Sequence, residues 1–166
     1  MTAQISDRLM FQQENYQLYS EPLRPWRNMR RNKGIRFRVK HTGCWRGYVA
    51  EWEVIDNHLF LSRISGQLLL NINGQFIDGP QCCVADLFPG QAQPVFADWV
   101  TQTLRCPFGN RLKYVHMPYA SIYENELRLV FEKGVLIEYQ TIENEMPPPY
   151  VHREDDYNSS GINDIV

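Results

Sequence analysis

The sequence predicts an all-β, or mainly β, chain whose antiparallel hairpins form a barrel or a two-sheet sandwich with little helix. Three observations predict it. Apolar and polar residues alternate with a period of two in several short runs. Turn-forming residues recur every 8–15 positions. No window carries a sustained apolar stripe at helical spacing between caps.

The elements follow in order. Ile35, Phe37 and Val39 alternate with Arg36, Arg38 and Lys40, which predicts a strand with one apolar and one cationic face. Tyr48, Ala50, Trp52 and Val54 alternate with Val49, Glu51 and Glu53 in a second strand. Asp56-Asn57 then turns the chain into His58–Ile64, a hairpin signal. Leu68–Ile72, Asn73-Gly74 and Gln75–Ile77 form another hairpin, because Asn-Gly accepts positive φ at both turn positions at little steric cost. Gln81–Phe88 reads as a further strand, and Val95–Val100 as at most one helical turn. Trp99–Cys106 reads as a strand that ends at Pro107 and Gly109-Asn110. Leu127–Glu132 and Val135–Gln140 alternate on either side of Lys133-Gly134. Hairpins without long helical crossovers argue against a parallel sheet.

The chain has 166 residues, the size of one domain. A single β domain is expected over residues 1–146, followed by a flexible acidic tail over 147–166 led by Pro147-Pro148-Pro149. Apolar runs such as Leu68-Leu69-Leu70 are far below the roughly 18 residues of a membrane span. Four dispersed cysteines form no Cys-x-x-Cys pair, so free thiols in a cytoplasmic compartment are expected. Four histidines without a paired spacing offer no metal site, and no glycine-rich loop or other motif calls for a cofactor.

The net charge of −2 hides an asymmetry. Arg24–Lys40 carries eight bases and no acid, whereas Glu143 onward carries six acids and one base. Blocks of like charge are solvated and often meet partners.

The strings Cys44-Trp45-Arg46-Gly47-Tyr48 with Trp52, then Leu87-Phe88-Pro89, Phe96-Ala97-Asp98-Trp99, Tyr114-Val115-His116 and Ser121-Ile122-Tyr123-Glu124 resemble a family of small uncharacterised bacterial proteins. The resemblance covers roughly residues 40–135 and implies a bacterial, mainly β domain without an assigned activity. A fainter likeness to lipocalin-type barrels rests on Gly47 and Trp52, which stand five apart where that family has them two apart.

Two sets of site residues emerge. Arg30, Arg31, Arg36, Arg38 and Lys40 are candidates to bind a protein partner with an acidic surface, since complementary charge steers association. Nucleic acid is the weaker partner, because the bases are confined to one segment of an otherwise acidic chain. Arg46, Tyr48, Trp52, Asp98, Trp99, His116 and Tyr119 are candidates to line a small-molecule pocket, where an aromatic wall favours a small apolar or sugar-like ligand. Asp98, His116 and Glu124 are the acid–base candidates of an enzyme, and Cys44 with His41 or His116 is the nucleophile–base candidate. The favoured reading is a non-catalytic bacterial binding protein, immunity- or adaptor-like, with no catalytic residue assigned. A lipocalin-like ligand-binding barrel and an enzyme are the alternatives. Oligomeric state is left open.

Overall fold

The computed structural model describes residues 2–146. The chain begins with a hairpin, β1 (Asp7–Phe11) and β2 (Glu14–Leu18). Gln12 and Gln13 turn it, both left-handed at φ 48° and 66°. A single helical turn, α1 (Arg24–Asn28), has Pro25 in its first turn, where a missing N–H costs nothing. A 3-10 turn at Arg30–Asn32 follows. Asn32 is buried and its Nδ2 donates to Trp26 O at 2.8 Å, which ties this turn back onto α1.

Then come β3 (Arg36–Phe37), β4 (Tyr48–Ile55), the long β5 (His58–Ile72) and β6 (Gln75–Gln81). A second helical turn, α2 (Val84–Leu87), and the short β7 (Val95–Phe96) lead to β8 (Gln102–Lys113), β9 (Ile122–Glu132) and β10 (Val135–Glu143). The main path runs β2-β1-β4-β5-β10-β9-β8 within a ten-stranded mixed sheet. β5 leaves this path near Gly66 and continues between β3 and β6.

The mainly β class is as the sequence predicts, and the three hairpins at Asp56-Asn57, Asn73-Gly74 and Lys133-Gly134 form in the expected registers. Five local readings are corrected. Gln81–Phe88 is not a strand: after β6, Cys83 caps α2, and its N–H donates to Asp86 Oδ2 at 2.8 Å. Val95–Phe96 pairs with β5 in place of a helical turn. The cationic strand shrinks from Ile35–Lys40 to Arg36–Phe37, the two residues that pair with Leu69 and Leu68 of β5. β8 runs through Pro107, paired with Glu126, and loses register only after Phe108, around Gly109 at φ +85°. Finally, β1 pairs β4 in parallel, Leu9 opposite Trp52. The crossover between them holds α1, the 3-10 turn and β3, so a parallel pair does form.

The sheet is not closed into a barrel, so the lipocalin-type architecture is not formed. Its end strands approach without a ladder. Tyr19 N–H, just past β2, donates to Arg105 O on β8 at 2.7 Å, and Arg105 N–H donates to Ser20 Oγ at 3.1 Å.

The core lies inside this bent sheet. Trp52, Tyr48, Phe131, Leu9, Leu59, Leu104 and Leu129 are all at most 2% exposed. Side chains at alternate β4 positions supply it, as the period of two requires. α1 docks through Trp26, which packs on Phe88 at 4.7 Å, and Phe88 stacks on Trp99 at 5.4 Å. Among the described residues no helix is long and apolar enough to cross a membrane. The acidic tail expected over 147–166 lies outside the described residues.

Candidate functional site

Four stretches of backbone meet beside the start of β4: the segment after β2, α1 with its 3-10 turn, β3, and the turn holding Arg46. Glycine permits the crossing. Gly47 stands at φ +76°, and a Cβ there would meet Arg38 O at 2.9 Å. A Cβ on Gly66 would meet Gly47 O at 2.7 Å, so any larger residue at either position pushes backbone from backbone.

The space left between these segments is an open cleft of about 1170 Å³. Arg24 and Arg27 reach it from α1, Lys33 from the end of the 3-10 turn, Arg36 from β3 and Arg46 from the turn ahead of β4. Glu21 is the one carboxylate on its lining among the described residues. Trp45 stands at the edge with 46% exposure.

A polar network holds the floor. Asp7, fully buried on β1, accepts from Arg46 Nη2 at 2.6 Å and from Ala50 N–H at 2.9 Å through Oδ1. Its Oδ2 accepts from Trp52 Nε1 at 3.1 Å. Arg46 Nη1 donates to Ile5 O at 2.7 Å and to the Tyr119 hydroxyl at 3.1 Å. That hydroxyl donates onward to Glu21 Oε1 at 3.2 Å, and Glu21 pairs with Arg24. The chain Asp7–Arg46–Tyr119–Glu21–Arg24 therefore crosses the cleft from its buried floor to its exposed lip.

Burial sets the electrostatics. It pushes the Asp7 carboxyl up, against the pull of Arg46 and the two N–H donors. It also pushes the Tyr48 and Tyr119 hydroxyls up, so both rings are neutral at physiological pH. Tyr48 can then serve two cations: the guanidinium carbons of Arg27 and Arg46 lie 5.4 Å and 5.2 Å from its ring centroid. Arg27 is also 5.2 Å from the Phe37 ring. The Nε–H groups of Arg27 and Arg46 are buried with no acceptor among the described residues. Such an orphan donor costs about 1–3 kcal/mol, and groups of this kind call for a specific explanation.

The residues singled out from sequence separate into two groups. Arg36, Arg46, Tyr48 and Tyr119 come together on the cleft. Trp52 belongs to the same network from beneath, through Asp7. The others lie elsewhere. Arg30, Arg31 and Lys40 are exposed off the cleft lining, and Arg38 is paired with Asp78. Trp99 is part of the aromatic core and donates from Nε1 to Pro22 O at 2.8 Å. Asp98 is exposed. His116 is exposed and meets only its neighbour, the Tyr114 hydroxyl, at 3.0 Å from Nδ1. Glu124 accepts from Asn110 N–H at 2.9 Å and Asn110 Nδ2 at 3.2 Å, which lowers its pKa. Cys44 is buried, with its thiol 3.4 Å from Tyr48 O. Among the described residues no group of three His, Cys, Asp or Glu could hold a metal ion.

Sequence reasoning missed Asp7 and Glu21, and it noted Arg24, Arg27 and Lys33 within the basic run without naming them as site residues. Asp7 shares one face of a period-two run with Leu9 and Phe11, which marks it as inward-facing but does not report its partner.

Comparison with family models, curated proteins and solved structures finds no match for this chain.

Proposed function

We propose that the chain is a non-catalytic binding protein whose basic cleft recognises an acidic segment of a protein partner. The observation that carries this reading is the convergence of Arg24, Arg27, Lys33, Arg36 and Arg46 on one open cleft with Glu21 as its only carboxylate among the described residues. Guanidinium groups suit carboxylates because their planar forks match them in two parallel hydrogen bonds. The division of labour also favours binding. Arg46 is held at the back by Asp7, with a side chain 6% exposed, while Lys33 and Arg36 are exposed, the Arg36 guanidinium lying 5.0 Å from the Phe76 ring centroid. The acid–base candidates Asp98 and His116 lie off the cleft, which speaks for recognition over turnover. The four cysteines are free, and burial pushes the Cys106 thiol up to about 12. The proposed role is adaptor- or immunity-like.

A labelled peptide of ten glutamates tests the reading by fluorescence anisotropy. The protein is expected to bind it at low salt. Lys33→Glu with Arg36→Glu is expected to weaken binding at least about tenfold, with an unchanged circular dichroism spectrum. Arg30→Glu with Arg31→Glu, off the cleft, is expected to change it less than about threefold. Equal losses in the two variants would refute the cleft as the site. Tighter binding of a ten-nucleotide thymidine strand than of the peptide would reassign the site to nucleic acid.

A further inference from the structure

We infer that the chain's own segment 147–166 is an occupant of this cleft and competes there with the partner. The inference rests on the cleft being an acidic-segment site.

Charge is the first argument. Residues 147–166 hold Glu154, Asp155, Asp156 and Asp164, with Arg153 as their only base. The facing wall holds five cations against Glu21. Opposite charge at close range in a partly enclosed cleft is screened less than on an open surface.

The second argument is where the described chain leaves the sheet. Asn144, just past β10, is fixed to the start of β9. Its N–H donates to Glu124 O at 2.8 Å and its Nδ2 to Tyr123 O at 2.9 Å. The Tyr123 ring meets Tyr19 edge-on at 6.2 Å, and Tyr19 lies 5.5 Å from Tyr119. Tyr119 and Ser20 are on the cleft wall. The chain is thus released one aromatic layer from the site.

Length is the third. Glu154–Asp156 lie eight to ten residues beyond Met146. At roughly 3.3 Å per residue that is a reach of up to about 30 Å. A tethered segment at this range acts at a local concentration on the order of millimolar, enough to compete with a partner of moderate affinity.

The test keeps the full chain and neutralises the segment with Glu154→Gln, Asp155→Asn and Asp156→Asn. Two readouts are followed: anisotropy of the labelled ten-glutamate peptide, and the NMR position of the Trp45 indole N–H at the cleft edge. The neutralised chain is expected to bind the peptide about 3–10-fold more tightly than the wild type. Its Trp45 signal is expected to move, and both differences should vanish at about 0.5 M sodium chloride. Measurable but equal peptide affinity in the two chains overturns this inference and leaves the cleft reading standing. Absence of peptide binding to both chains overturns the two together. A Trp45 signal that is unmoved by neutralisation overturns the inference, because the segment is then not in the cleft.

Discussion

Asp7 and Glu126 are both carboxylates held by arginine on the same sheet, and they sit at different depths. Asp7 and its partner Arg46 are 0% and 6% exposed, with two further N–H donors on the carboxylate. Glu126 is nearly as deep at 7%, but Arg105 and Arg128 reach it from solvent at 43% each. Burial raises both carboxyls. At Asp7 it prevails, and at Glu126 the hydrogen bonds and charges of two arginines outweigh it and hold the carboxyl below its usual range. The lesson is that depth of the cation, more than the number of contacts, separates a structural pair from an ordinary surface one. Arg46 is fixed in place by Asp7 and serves as the back wall of the cleft. Arg105 and Arg128 brace the outer face of β8 and β9.

Substitutions at the two clusters should separate them in proportion. Arg46→Ala leaves a buried carboxylate without its cation and is expected to cost about 3–5 kcal/mol in urea unfolding. A cost no larger than that of Arg128→Ala would erase the distinction. Trp52→Phe removes one donor to Asp7 while keeping most of the ring, and about 2 kcal/mol is expected. Glu126→Gln should cost about 1 kcal/mol at pH 7. Because the folded pKa of Glu126 lies below its unfolded value of about 4.5, its contribution is present above that pH and fades as pH falls through the folded value. The stability gap between wild type and Glu126→Gln should accordingly close below about pH 4.5. Arg128→Ala, with Arg105 still in place, should change the unfolding midpoint least, by under about 1 kcal/mol.

The same contrast explains what was legible in the sequence. Asp56-Asn57, Asn73-Gly74 and Lys133-Gly134 announced their hairpins because turn chemistry is local: all six residues carry positive φ, a state that Asn, Asp and Gly reach cheaply. Arg46, Tyr48 and Trp52 could be grouped from strand alternation, although Arg46 reaches the group from a turn rather than from β4 itself. Asp7 could not be added, because its contact with Arg46 spans 39 residues and no periodicity reports on that distance. Gln12-Gln13 also hid the first hairpin, since glutamine has no short polar side chain to favour the left-handed state. The basic run was read correctly in charge and wrongly in shape. The strand was expected over Ile35–Lys40, and one helical turn is too short to leave a period, so α1, which brings Arg24 and Arg27 to the cleft, was not visible in the sequence.

The parallel join of β1 to β4 has a consequence for the order of assembly. β4–β5–β6 and β8–β9–β10 are built from hairpins that close locally. The join of β1 to β4 and the Tyr19–Arg105 bond close loops of about 40 and 86 residues, and such closures come late in folding. The floor of the cleft, where Asp7 on β1 holds Arg46, depends on the first of them. In a pulse-labelled refolding experiment, amides of β9 and β10 should be protected before Leu9 and Trp52. A newly made or partly unfolded chain would then display its hairpins before the floor of the cleft is assembled.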